Sequence, residues 1–167
     1  MMQSKHTSGD YKMTFLTDLV HNGIFMSAII GWLIAQILKT IIHMILNKKF
    51  VAERMVGGGG MPSSHSATVC ALATATGIHF GGGSYEFALA AILAVVVMYD
   101  AMGVRQETGK QGKVLNEMME IFTQMGKDID AEKAFKEFVG HTPLQVLMGA
   151  LLGILIAVIV CNMNFFM

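Results

Sequence analysis

Apolar and polar stretches alternate along the chain, and the apolar stretches are long. Four of them, rich in Ala, Leu, Ile, Val and Met, predict helices at residues 23–46, about 66–80, about 87–104 and about 143–160. The first is long enough to cross the roughly 30 Å hydrocarbon core of a bilayer. The second is short for a span and follows a glycine-rich stretch, so it either crosses the membrane or forms a re-entrant segment that lines a wet cavity.

The longest polar stretch, residues 105–140, separates the third and fourth apolar stretches. Within it, apolar side chains recur at helical spacing: Val114, Leu115, Met118, Met119, Ile121, Phe122 and Met125. This spacing predicts an amphipathic helix, which either lies on the membrane surface or belongs to a soluble helical hairpin packed on the bundle. Residues 1–22 lack the cleavage site of a signal peptide, so we expect a retained, flexible segment before one transmembrane domain at residues 23–167.

The composition agrees with a membrane environment. Apolar residues make up 53% of the 167-residue chain, charged residues only 14%, and the mean hydropathy is +0.54. A soluble domain carries charge on about a quarter of its residues. The expected fold class is therefore all-α, an integral membrane helical bundle of about four transmembrane helices. A net charge of zero argues against nucleic-acid binding, and the two cysteines form neither a disulfide framework nor a zinc-ligand pattern.

Positive charge is concentrated after the first and after the third apolar stretch. These two segments hold Lys48, Lys49 and Arg54, and Arg105, Lys110, Lys113, Lys127, Lys133 and Lys136. With four spans both segments lie on one face, and the positive-inside rule puts that face in the cytoplasm. We therefore expect a multi-pass protein of the bacterial plasma membrane with both termini outside the cytoplasm. A re-entrant second helix would change this orientation.

One short sequence at the start of the second apolar stretch combines glycine, serine and histidine: residues 57–67 are GGGGMPSSHSA. Glycines let a backbone approach a ligand closely, and a helix N-terminus attracts anions. Ser63 and Ser64 either cap the helix or bind the anion, and His65 falls in the first turn, where it can transfer a proton. The sequence predicts a phosphate site here, and the alternative is a flexible hinge followed by an N-cap serine.

Further ionisable residues are expected near this histidine. Asp100 and Arg105 end the third apolar stretch, where buried charge is costly and indicates function, although Arg105 can also snorkel to the interface. His141 precedes the fourth stretch. Lys39 lies inside the first stretch, one helical turn before His43, and is either a phosphate ligand or a paired or snorkelling structural residue. Asp100, Arg105 and His141 fall on the face that we assign to the cytoplasm.

The motifs resemble those of the divergent PAP2 family of small membrane proteins, related to the phosphatidic acid phosphatase type 2 superfamily. The resemblance is carried in order by GGMPSSHSA, by YDAMGVR with the following GKQ and LN, and by GHTPLQV, across residues 59–146. The superfamily has PSGH where residues 62–65 are PSSH, and an Asp four residues after its nucleophilic His. Here Gln145 stands at that Asp position, and the superfamily Arg before the His is missing, with only Lys136 nearby.

The resemblance implies a PAP2-like fold and a membrane lipid-phosphate phosphatase. In that chemistry His141 attacks phosphorus to form a phosphohistidine, and His65 protonates the leaving alkoxide and later activates water. Because an amide orients histidine less strongly than a carboxylate, we expect Asp100 to orient His141. The expected phosphate-binding residues are Lys39, Arg54, Gly59, Gly60, Ser63, Ser64, Arg105, Gln111 and Gln145.

No cofactor is expected, although Asp100 with Glu107 offers carboxylate oxygens to Mg²⁺ as a minor alternative. A cytoplasmic site favours a lipid phosphate of the inner leaflet, such as phosphatidylglycerophosphate or phosphatidic acid. Two other functions stay open: a non-catalytic protein that binds or transports a lipid phosphate or polyprenyl phosphate, and an assembly factor whose polar loop docks a soluble partner. Gly149 and Gly153 permit close helix approach, either within one chain or in a homodimer.

Overall fold

The structure is a computed structural model that describes residues 8–47, 60–125 and 140–163, with the side chains of these ranges except those of residues 8–13, 47 and 104–106. The described residues form helices and turns, and no strand occurs among them. The helices are α1 (Ser8–His21), α2 (Gly23–Asn47), α3 (Ser64–Phe80), α4 (Tyr85–Met102), α5 (Val104–Gln124) and α6 (Pro143–Cys161). The expected all-α fold class is confirmed.

The ends of the apolar helices follow local chemistry. The hydroxyl oxygens of Ser63, Ser84 and Thr142 accept hydrogen bonds from backbone N–H groups in the first turns of α3, α4 and α6. Gly81, with φ +84°, ends α3, because a left-handed residue stops a helix at little cost only when it is glycine. These capping residues can be found by inspecting the sequence. The observed bounds of α3, α4 and α6 accordingly agree with the predicted bounds to within about two residues.

Three helical segments among the described residues are long and apolar enough to cross a membrane: residues 23–46 in α2, residues 85–124, which include α4, and α6. α3, which lies between α2 and α4 in the sequence, has 17 residues and packs against α2, α4 and α6. The chain is thus a membrane protein in which the shortest apolar helix is surrounded by longer ones. A count of four spans requires α3 to cross as well and stays a prediction.

The interior of the bundle is built from small side chains. Ala35, Ala67, Ala71, Ala75 and Ala157 are completely buried. Large apolar side chains such as those of Ile92, Leu151 and Leu155 are more than half exposed. This distribution is typical of helices in lipid, where small residues let backbones approach and large residues face the acyl chains.

α3 and α6 run parallel to one another in very close contact. A Cβ atom added to Gly149 would lie 2.3 Å from the carbonyl oxygen of Ser63, and one added to Gly153 would lie 2.3 Å from that of Ala67. Only glycine fits at these two positions. The two glycines therefore pack within one chain, which is one of the two alternatives that the sequence left open.

α2 and α4 run antiparallel to α3. In α4, Phe87 at the start touches Gly77 near the end of α3, and Met98 near the end contacts Cys70 in the first half of α3. The C-terminal ends of α2 and α4 and the N-terminal ends of α3 and α6 consequently share one face, which we call the motif face. The opposite ends form the far face. The two helices that precede the lysine- and arginine-rich segments in the sequence, α2 and α4, both end at the motif face.

Two helices lie outside this bundle. α1 occupies part of the N-terminal segment that we expected to be flexible. α5 is the predicted amphipathic helix and continues α4 across Gly103, whose N–H donates to the Tyr99 carbonyl and whose carbonyl accepts from the N–H of Glu107. Its position on the membrane surface stays a prediction.

Candidate functional site

Two histidines meet at the motif face. His65 lies in the first turn of α3 and His141 lies two residues before α6, and their ring centroids are 5.7 Å apart at an interplanar angle of 63°. The close packing of α3 on α6 brings them together, and the backbone N–H of Ser63 donates to the carbonyl of Gln145 at 3.0 Å. The two residues predicted to act as nucleophile and proton donor are therefore neighbours in space.

His141 is held by the backbone of another helix and by a side chain of its own. Its N–H donates to the carbonyl of Ala101 near the end of α4 at 2.9 Å, and the residue is only 2% exposed. Its Nδ1 lies 3.2 Å from Oε1 of Gln145. The imidazole is thus fixed between α4 and α6 rather than free to rotate in a loop.

The amide of Gln145 determines which ring nitrogen of His141 carries hydrogen. Its Oε1 accepts from the backbone N–H of Thr142 at 3.1 Å, as part of a capping box, so the atom near the ring is the amide oxygen. An oxygen only accepts, and Nδ1 of the ring must therefore be the donor. In the neutral ring this leaves the lone pair on Nε2, which is the nitrogen available to attack an electrophile.

Gln145 thereby makes the contact to Nδ1 that we expected from Asp100. Asp100 is half-buried and lies immediately before Ala101, whose carbonyl accepts from His141. A catalytic role for Asp100 stays a prediction. The capping box holds Gln145 in place without help from a carboxylate.

The serines at the start of α3 divide into a cap and a candidate ligand. The Ser63 hydroxyl accepts from the N–H of Ser66 at 3.3 Å and from the Ser66 hydroxyl at 3.0 Å, and both residues are fully buried. This is the geometry of the N-cap alternative. Ser64 begins the helix itself and is 6% exposed. Its hydroxyl stays a candidate phosphate ligand beside His65.

Lys39 reaches the same region from α2. It is 2% exposed, and a Cβ added to Gly60 would lie 3.1 Å from both Cγ and Cδ of the lysine. Gly60 also has φ +85°, a conformation that favours glycine, and the lysine would have to shift by a few tenths of an ångström to admit a Cβ. The Lys39 side chain therefore runs along the turn that leads into α3, as expected for a lysine that is directed into the protein rather than toward lipid.

Most of the remaining predicted phosphate-binding groups are not among the described parts of the chain. Arg54 and Gly59 fall outside the described residues, and so does the side chain of Arg105 in α5. Gln111 is exposed on α5. Their roles stay predictions that arise from the family resemblance.

The binding of Mg²⁺ by Asp100 and Glu107 stays a prediction. Glu107 is exposed and pairs with Lys110 on the same helix. Within the described ranges, no group of three or more His, Cys, Asp or Glu side chains is placed to hold a metal ion.

Two buried polar residues were missing from the predicted site. Gln36 is 7% exposed and lies three residues before Lys39, on the same side of α2. Ser66 is completely buried and donates to the cap of α3. The spacing of Gln36 and Lys39 in an otherwise apolar helix was a usable signal, whereas the Ala101 carbonyl is a backbone atom with no sequence signature.

Comparison with known proteins places this site within a family. The sequence profile of the divergent PAP2 family matches residues 20–156. The chain belongs to the divergent PAP2 family. "Uncharacterized membrane protein YuiD" of Bacillus subtilis (strain 168) is 36% identical over 151 residues, which cover 85% of this chain and 96% of that relative. No solved structure gives a significant match. The divergent PAP2 match includes every residue described above at the motif face and confirms the resemblance.

Proposed function

We propose that this member of the divergent PAP2 family is a membrane lipid-phosphate phosphatase that hydrolyses a phosphomonoester through a phosphohistidine at His141. The observation that carries the proposal is the pair of histidines, 5.7 Å between ring centroids, in which Gln145 sets the tautomer of His141. Covalent phosphoryl transfer requires a nucleophile and a proton donor within reach of one phosphorus centre. Two imidazoles side by side meet that requirement.

Two kinds of positive charge favour phosphate binding next to this pair. The N-termini of α3 and α6 both end at the motif face, and helix N-termini direct N–H groups and partial positive charge toward an anion. Lys39 adds a full charge from α2, because its side chain runs along Gly60 into the same region. In the proposed complex these groups hold the non-bridging phosphoryl oxygens.

The first chemical step transfers the phosphoryl group to the enzyme. Nε2 of His141 forms a bond to phosphorus while the bond from phosphorus to the alkoxide oxygen breaks. His65, protonated at the start, gives its proton to that oxygen. The Nδ1–H of His141 remains bonded to the Gln145 oxygen, so the phosphorylated ring is a cation and becomes a good leaving group in the next step.

The second step returns the enzyme to its initial state. Water attacks phosphorus, His65 accepts one proton from the water, and the bond from phosphorus to Nε2 breaks. Inorganic phosphate leaves, His141 is neutral again and His65 is protonated again. Two steps thus consume one water and release one alcohol and one phosphate, with no change in the protein.

The proposed substrate is a lipid, since the helices that carry the histidines present large apolar side chains outward. With the positive-inside orientation, phosphatidylglycerophosphate and phosphatidic acid of the inner leaflet are the expected substrates.

The test is phosphate release by the detergent-purified full-length protein from phosphatidylglycerophosphate, phosphatidic acid and undecaprenyl pyrophosphate, each with EDTA and with Mg²⁺. We expect release from at least one phosphomonoester lipid, persistence in EDTA, and loss in both His141→Ala and His65→Ala. If phosphate release depends on Mg²⁺, Asp100 and Glu107 would be proposed as metal ligands instead. Release that survives His141→Ala would refute the phosphohistidine scheme.

One observation favours a second candidate, a non-catalytic protein that binds lipid phosphate or polyprenyl phosphate. The group facing His141 Nδ1 is an amide and not the carboxylate of the superfamily motif. A binder retains affinity for the lipid and releases no phosphate from any of the three substrates. Binding without release, measured on the same preparation, therefore separates the two functions.

A further inference from the structure

An open pocket lies at the far face, remote from the two histidines of the motif face. Its volume is about 720 Å³, and it lies where α1 ends, α2 begins, and α3 and α6 end. This volume is typical of pockets that hold small molecules or lipid headgroups. The proposed phosphatase chemistry uses none of the residues that line it.

The helix ends around this cavity give it a negative potential. The C-terminal turns of α1, α3 and α6 reach it through His21, Phe80 and Cys161. Each helix C-terminus carries partial negative charge from its last carbonyl groups. The N-terminus of α2 is the opposing end, and there Oδ1 of Asn22 accepts from the N–H of Phe25 at 3.0 Å. Three negative ends therefore face one positive end that is already capped.

The one carboxylate among the described lining residues adds further negative charge. Asp18 of α1 contributes a carboxylate to the lining, and none of the described lining residues is Lys or Arg. A cation is therefore favoured in this cavity and an anion is disfavoured.

One imidazole in the lining is set up as a hydrogen-bond acceptor. Nδ1 of His79 lies 3.1 Å from the carbonyl of Ala75. A carbonyl only accepts, so Nδ1 carries the hydrogen and the neutral ring keeps its lone pair on Nε2. This Nε2 acceptor and the Asp18 carboxylate match a ligand that carries several N–H donors and positive charge.

Apolar side chains complete the cavity. Ile24, Ile78 and Phe80 line it, and the last two are half exposed or more at the end of α3. A ligand with both a cationic group and an apolar part would complement the polar and the apolar residues of the lining.

We infer that the far-face cavity binds a primary ammonium group, carried by an aminophospholipid headgroup or by a free amine. The ammonium donates to the Asp18 carboxylate and to the acceptor nitrogen of His79, and the negative helix ends stabilise its charge. This inference does not rest on the phosphatase proposal, because the two sites lie at opposite ends of the bundle.

The experiment is native mass spectrometry of the full-length protein in neutral detergent, with dioleoyl phosphatidylethanolamine or dioleoyl phosphatidylglycerol added at equal concentration. Phosphatidylglycerol is an anion and phosphatidylethanolamine is zwitterionic, so binding at the anion-favouring motif face cannot produce a preference for phosphatidylethanolamine. We expect phosphatidylethanolamine to bind more tightly. Asp18→Asn should weaken it by roughly tenfold, the effect of losing one charge-assisted hydrogen bond, while binding of phosphatidylglycerol stays within about twofold.

The matched control is Glu86→Gln, which also removes one carboxylate at the far face, in the first turn of α4 and outside the cavity. It should leave the preference intact. Competition by millimolar ethanolamine would identify the headgroup alone as sufficient, and its failure would identify the intact lipid as the ligand. Equal binding of the two lipids, or an equal effect of Glu86→Gln and Asp18→Asn, would overturn the inference.

Discussion

Gln145 combines a structural and a proposed chemical role in a single side chain. Its amide oxygen closes the capping box of α6 and also contacts Nδ1 of His141. A neutral amide orients the ring and sets its tautomer, but it stabilises a positively charged imidazole less than a carboxylate does. The proposed phosphatase should therefore turn over more slowly than an enzyme with a carboxylate at this position.

Substitutions at Gln145 separate its effect on the orientation of His141 from its effect on the capping of α6. Gln145→Leu removes the acceptor for Nδ1–H, and we expect kcat to fall by about 10- to 100-fold, as for loss of other groups that orient a functional histidine. Gln145→Glu retains an acceptor and places a carboxylate at this position, so its kcat should equal or exceed that of the wild type. Thr142→Ala is the control, since it costs about 1 kcal/mol of capping energy but leaves the ring contact in place. Equal losses of kcat in Gln145→Leu and Thr142→Ala would mean that Gln145 matters only as a cap.

Lys39 should act on binding more than on chemistry. The buried lysine side chain runs along Gly60 toward the start of α3. Lys39→Met keeps its length and removes the charge, and we expect the Kd for a lipid phosphate to rise by roughly 10- to 100-fold, the usual effect of losing a hydrogen bond to a charged group. Lys110→Met, on the exposed side of α5, is the matched control. An unaltered Kd in Lys39→Met would show that the lysine has only a structural role.

The contact of α3 with α6 is the element on which the histidine pair depends. It requires glycine at two positions one helical turn apart, because the facing atoms belong to the backbone of α3. Backbone cannot move aside as a flexible side chain can, so an added methyl group must separate the helices.

Gly149→Ala tests this contact. Its Cβ would lie 2.3 Å from the carbonyl of Ser63, and we expect a destabilisation of about 1–3 kcal/mol, typical of overpacking. Thermal unfolding in detergent measures it, and phosphate release should fall because His65 moves away from His141. Gly83→Ala, where an added Cβ meets no atom within 4 Å, should leave both quantities unaffected. Wild-type stability in Gly149→Ala would show that the helices are less closely packed than described.

Much of this fold can be predicted from local sequence signals. Glycine, proline and hydroxyl residues bound the apolar stretches, which is why α2, α3, α4 and α6 were predicted with nearly correct ends. α1 was not predicted, because its sequence has no apolar stretch long enough to stand out. The start of α5 at Val104, directly after α4, was also missed, since the apolar pattern runs across Gly103.

The candidate site was predictable to a smaller extent. The proximity of Gln145 to His141 follows from their spacing of four residues, although we expected Asp100 to orient the His141 ring. The packing of Lys39 on Gly60 and the anchoring of His141 by the Ala101 carbonyl are tertiary contacts between separate helices. No local pattern encodes such contacts, and the pairing of His65 with His141 was implied only by the family resemblance.

At the scale of the whole molecule, the bundle has chemically different ends. The motif face combines two helix N-termini with His65, His141 and Lys39, which favour an anion. The far face combines three helix C-termini with Asp18 and the acceptor imidazole of His79. Orientation in the membrane therefore decides which leaflet each ligand must come from.

Cysteine labelling tests the expected orientation. In a background with Cys70→Ala and Cys161→Ala, Ser84→Cys places a thiol in the turn between α3 and α4 at the far face, and Lys110→Cys places one on exposed α5. We expect a membrane-impermeant maleimide to label intact cells at position 84 only, and both positions after lysis. Labelling of position 110 in intact cells would reverse the orientation and make lipid phosphates of the outer leaflet the expected substrates.

The most direct test of the central claim is to locate the covalent intermediate. Protein quenched during turnover of a lipid phosphate at alkaline pH, where phosphohistidine is retained, is digested and sequenced by mass spectrometry. The proposed mechanism predicts a phosphoryl group on the Nε2 nitrogen of His141, and none in His141→Ala. A phosphoryl group on any other residue, or rapid phosphate release with no phosphorylated intermediate, would contradict it.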